Sequence, residues 1–259
     1  MKKLIGIELV KMKHYWTTWL IAVLTVGQGF FYAAVMKYDS ILASYPKLEY
    51  VLYIYETARW ICMASLFMTA YVIAGDFSMR TVQNVLSAGI DRKKYYLSRL
   101  SAQMLFVFVS YAGGCAVFVI SRIVRTGAVN TTMPFWEFLA VFLVMALQPM
   151  AYVALANLIS VICKKQGVAI ILSELSLFFA LVLRIYSMGK DFYTASGPKL
   201  LRGPIAYEPL YLLETCDMYV YSDAGIFSFA FFQYALSALA IITLTSAAGY
   251  AWLVRSDLR

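Results

Sequence analysis

Along this chain the apolar residues gather into long runs. They do not recur at the 3.6-residue spacing of a surface helix or alternate as in a strand. A run of about 20 apolar residues matches a hydrocarbon layer about 30 Å thick. Six runs of this kind lie at 17–36, 57–74, 100–120, 135–159, 166–186 and 226–253. They predict an all-α, polytopic membrane protein with six transmembrane helices, in which residues 1–259 form one transmembrane domain. The apolar core of the first run is too long for a signal peptide, and no small-residue cleavage pattern follows it.

The segments between the runs carry their own patterns. In 1–15 and the residue after it, Ile5, Leu9, Met12 and Trp16 line one helical stripe, with Glu8, Lys11 and Tyr15 away from it. That arrangement predicts a helix lying in the cytoplasmic interface before the chain turns into the membrane. The stretch "YVLYIYETARW" continues the second span outward, and 187–225 forms a long loop. This loop holds three of the six prolines, five acids and many tyrosines, which suits short helices at the outer headgroup level.

Composition agrees with the pattern and adds an orientation. Only 14% of residues are charged against 62% hydrophobic, with a mean hydropathy of +0.73, too little charge to cover a soluble domain. The side holding the N-terminus, 75–99, 160–166 and the C-terminus carries thirteen basic and four acidic residues, a net +9. The opposite side carries eight basic and nine acidic residues, a net −1. The positive-inside rule then predicts both termini in the cytoplasm. The basic pI of 9.2 is juxtamembrane charge facing anionic lipid headgroups, and nucleic-acid binding is excluded. Of the four cysteines, only Cys216 lies on the outer side, so no disulfide framework is expected.

One polar segment stands out. "GDFSMRTVQNVLSAGIDRKKYYLSRL", from Gly75 to Leu100, carries seven charges between two nearly uncharged runs. Asp76 suits an N-cap, and Phe77, Val82, Val85 and Leu86 give a short apolar face ending near Ser87. Gly89 fits the left-handed position that stops a helix, and Asp91 can cap the helix that becomes the third span. Two readings stay open on the residues alone. One is a loop resting on headgroups through its lysines and arginines. The other is a docking helix seated in a groove of a cytosolic partner.

The segment resembles the cytoplasmic loop of membrane subunits of type-2 ABC exporters, most of all those that expel bacitracin, lantibiotics and other amphipathic bacterial peptides. The match runs through Asp76, Phe77, Thr81, Asn84, Leu86, Ser87, Gly89, Arg92, Tyr95, Ser98 and Leu100, with Asp91 in place of the usual serine and Arg99 in place of lysine. The layout is also similar: an interfacial N-terminal helix, six spans and a long outer loop before the last. The resemblance implies that 75–99 is a coupling helix contacting an ATPase through Asp76, Phe77, Thr81, Val82, Val85, Leu86, Gly89 and Arg92. It implies two separate ATPase chains that bind ATP and magnesium, and a second permease copy or paralogue. The setting it implies is a bacterial plasma membrane, with an amphipathic antimicrobial or cytolytic peptide as cargo. Alternatives are an exporter of lipids or drugs, and a membrane anchor or sensor that partners an ATPase without transporting.

No G-x-x-x-x-G-K-[ST] stretch occurs, so any ATPase is a separate polypeptide. His14 is the only histidine, which removes the usual histidine-based metal and catalytic sites, so no catalytic or metal-ligating residue is expected. Glu174 and Arg184 are the ionisable residues inside the fifth run. Glu174 is a candidate for the transport path, with snorkelling to the membrane surface equally open, whereas Arg184 lies at a span end. Gln148-Pro149 in the fourth run predicts a bend that could widen the same path. Gln28, Gln103, Asn157 and Gln233 are expected to hydrogen-bond between helices.

Overall fold

The structure is a computed structural model and describes residues 2–35, 46–126, 134–191 and 229–256. Over these residues the chain is helical, with no strand. Long continuous lipid-compatible runs suit the α-helix, which satisfies its backbone polar groups within each segment. The helices are α1 (Lys2–Lys13), α2 (Trp16–Val35), α3 (Pro46–Ser78), α4 (Thr81–Ser87), α5 (Arg92–Thr126), α6 (Phe135–Met145), α7 (Leu147–Cys163), α8 (Gln166–Asp191) and α9 (Phe229–Arg255). Residues 192–228 of the long loop, with Cys216, and the Arg184 and Gln233 side chains lie outside the described residues.

Among the described residues, four stretches are long and apolar enough to cross a membrane: Tyr53–Ser78, Arg92–Ser121, Phe135–Cys163 and Tyr234–Arg255. Two shorter apolar stretches, Trp16–Phe31 and Gln166–Phe179, belong to α2 and α8. The 33-residue α3 continues the second run outward as its sequence predicts. It is also the central post, since 67% of its most apolar window is buried, against 28% for those of α5 and α9. It packs on α2, α5, α6, α7 and α8, while α7 joins it to α9.

The fourth run is broken. The helix stops at Met145, turns at Ala146 and resumes at Leu147. Pro149 explains the position: it has no N–H for the Met145 carbonyl, and its ring crowds that same group. Close packing elsewhere depends on small residues. A side chain at Gly114 would run into the Thr25 and Thr57 methyls, and Tyr53 Oη donates to the Gly114 carbonyl at 3.1 Å.

Helix α1 forms over the residues expected, and its packing adds a direction. Ile5 and Leu9 pack against the protein core, of which Met12 is a buried member, while Ile7 and Val10 on the other side are exposed. The apolar stripe thus faces the bundle, mainly α5. Glu8 and Lys11 flank that stripe and turn inward with it. Their partners are buried charges on α3 and α5, which cannot be left unpaired.

Candidate functional site

The basic end of the bundle is built around the corner from α3 through α4 to α5. After Ser78 the chain turns through Met79 and Arg80, the latter left-handed at φ 58. The seven-residue α4 follows, and Gly89 at φ 86 ends it, as its sequence position predicts. The Asp91 carbonyl accepts the Tyr95 N–H at 2.9 Å, starting α5. Lys164, at φ 55, makes a second left-handed corner between α7 and α8. There Gln166 Nε2 donates to the Tyr71 carbonyl at 3.1 Å and ties α8 to α3.

Asp76 does not cap α4. It lies within α3, 1% exposed, and the residue at the N-cap position of α4 is Arg80, without a side-chain cap bond. Lys11 Nζ donates to the two Asp76 carboxylate oxygens at 2.9 and 2.7 Å. Arg99 Nη1 reaches Asp76 Oδ2 and the Tyr95 hydroxyl, and Arg99 Nη2 donates to the Val72 carbonyl at 3.1 Å. Glu8 Oε2 lies 3.9 Å from Arg99 Nε. The four charges sum to zero, and they join α1, α3 and α5 in one place. The phenol of Tyr15 nearby is raised above its ordinary pKa, first by burial and then by Asp76, which keeps it neutral.

The other coupling-segment residues divide by direction. Val82 is buried, and Phe77, Val85 and Leu86 pack against the core. This apolar face therefore looks into the bundle and not outward to a partner. An exposed two-turn apolar helix would have little stability alone, and packing on α3 supplies it. Thr81 is half-buried, and the side left to solvent presents Met79, Arg80, Asn84, Ser87 and Ala88. Arg92 turns toward its own chain. Its Nη1 donates to the carbonyls of Leu253 at 3.1 Å and Val254 at 2.7 Å, capping the negative end of α9.

The two transport-path candidates separate as well. Gln148 is fully buried in α7. Glu174 instead lines a groove of about 720 Å³ together with α2 and the α3 residues Trp60, Met63, Ala64 and Phe67. Glu174 is its one charged lining residue. Gln28, also in the lining, has both amide atoms buried without a hydrogen-bond partner, as is the Thr17 hydroxyl. Gln103 and Asn157 likewise do not make the interhelical bonds expected of them: both Gln103 amide atoms and Asn157 Nδ2 are buried without a partner.

Glu8, Lys11, Arg99 and Gln28 are not singled out by the sequence pattern as site residues. A signal existed for Arg99, a cation directly before the third apolar run, where entry into the bundle would demand a counter-charge. Comparison with protein-family models and with curated proteins gives no match.

Proposed function

We propose that this chain is the permease subunit of an ATP-driven exporter of the ABC type. It has six spans with both termini in the cytoplasm, and it pairs with a second permease copy or paralogue. Two separate ATPase chains supply ATP and magnesium chemistry. The cargo is an amphipathic peptide moved from the cytosol or inner leaflet to the outside. The observation that carries this reading is the clamped corner at the basic end. A free loop would absorb a push at α4 by bending. Here Asp76 on α3 and Arg99 on α5 are locked together on either side of α4, and Val82 is buried beneath it. Force applied to α4 therefore passes to two long helices. The exposed Arg80, Asn84 and Ser87 side is the contact surface in this reading, in place of the apolar face.

The test is cross-linking from cysteines at Asn84 and Ser87 to the P-loop ATPase expressed with this chain, followed by peptide-stimulated ATP hydrolysis of the complex. Cross-links from both positions, and stimulation by an amphipathic peptide, are expected. An ATPase that neither cross-links there nor co-purifies with the wild-type chain overturns the reading. Binding without cargo-stimulated hydrolysis favours the anchor alternative. Membrane-impermeant thiol labelling of intact cells checks the orientation: Cys216 reacts and Cys163 does not.

A further inference from the structure

The α2–α3–α8 groove poses a problem that the rest of the bundle does not. At the basic end the buried Asp76 and Arg99 have partners, but no ion pair or hydrogen bond reaches the Glu174 carboxylate among the described residues. Around it the lining is mostly apolar, with Leu24, Phe31, Trp60 and Phe67 among its residues. A carboxylate in such surroundings is poorly solvated and is best stabilised by a cation that arrives with its own apolar body. The volume of about 720 Å³ falls within the roughly 300–1,000 Å³ of small-molecule sites.

We propose that this groove is a membrane-open binding site for an amphipathic amine, whose ammonium group pairs with Glu174 while its apolar part lies against Trp60 and Phe67. The outward sides of α2 and α8 are apolar and exposed, with Val23, Leu24, Leu172 and Leu175 among them, so such a molecule enters sideways from the lipid. Depth argues against a lipid headgroup as the occupant. Glu174 lies eight residues past the start of α8, about 12 Å along the helix, and an aminophospholipid would have to leave its interfacial plane to reach it. A free amphipathic amine has no such tether. In the exporter reading, on which the role of this site rests, the groove is where cargo is taken up.

The test uses the full chain alone, without an ATPase, in discs of phosphatidylcholine. Dibromododecylamine is titrated in, and quenching of tryptophan fluorescence is read. Trp60 lines the groove, so the saturable part of the quenching should vanish in Trp60→Phe. Glu174→Gln should raise the apparent Kd about tenfold or more, equivalent to about 1.4 kcal/mol or more, while Glu174→Asp retains part of the affinity. The uncharged dibromododecanol should quench weakly and equally in the wild type and Glu174→Gln.

Equal affinity of amine and alcohol, or an unchanged Kd in Glu174→Gln with normal thermal unfolding, overturns the proposal. Competition by phosphatidylethanolamine in the disc overturns it in favour of a resident lipid. Groove cysteines that cross-link between two copies of the chain, and block quenching, overturn it in favour of a subunit interface. Failure of the exporter reading looks different: amine binding persists while no partner ATPase responds to cargo.

Discussion

Asp76 and Glu174 are both carboxylates set in apolar helices, and the structure treats them oppositely. Asp76 is enclosed by Lys11 and Arg99, with Glu8 beside the arginine, so every charge there has an opposite neighbour. Glu174 faces a groove with no partner among the described residues. Burying a charge is tolerable only when something compensates it. At the basic end compensation is built in, and the result is a joint. In the groove it is left to be supplied from outside, and the result is a site. A charged residue inside a membrane helix therefore has no fixed meaning until its neighbours are known.

Removing Asp76 is the strongest way to break this contrast. Asp76→Asn leaves Arg99 and Lys11 without a full counter-charge, and a loss of about 3–5 kcal/mol is expected, read as a lower unfolding temperature in detergent. Replacing the pair together, as Asp76→Leu with Arg99→Met, should recover much of that loss. An Asp76→Asn protein that unfolds at the wild-type temperature would show that the cluster is not a structural joint.

Glu174→Gln should act in the other direction. With no partner to lose, and a carboxylate taken out of an apolar span, stability should stay level or rise by about 1–3 kcal/mol. A clear drop in unfolding temperature would mean that Glu174 holds the fold and would erase the difference between the two regions.

A finer test concerns how far the joint extends. Arg92→Ala uncaps α9 at a partly exposed position, so a cost of about 1 kcal/mol is expected. It should appear as faster hydrogen exchange in the last turn of α9 with little change in global unfolding. Slow exchange preserved there would confine the joint to α1, α3 and α5.

Much of the fold is legible in the apolar runs, because continuous runs of about 20 apolar residues suit spanning helices and not the short alternating strands of a barrel. The bend at Gln148-Pro149 and the left-handed stop at Gly89 are equally local, following from ring geometry and the absence of a Cβ. The sequence by itself thus determined the helical class, the basic end and the stop of α4 at Gly89, but not its start, which lies at Arg80 and not at Asp76. It did not determine which way the amphipathic faces turn. On α1 and α4 an apolar stripe reads the same whether it meets lipid, a partner or its own bundle, since all three reward burial. The partners of Asp76 were hidden for a related reason: Lys11 lies 65 residues away in sequence, and Arg99 lies across the corner on another helix. Only the tertiary structure decided those pairings, by bringing α1 and α5 against the end of α3. The same packing left Glu174 facing a groove, because charge compensation depends on which helices meet and no local pattern encodes that.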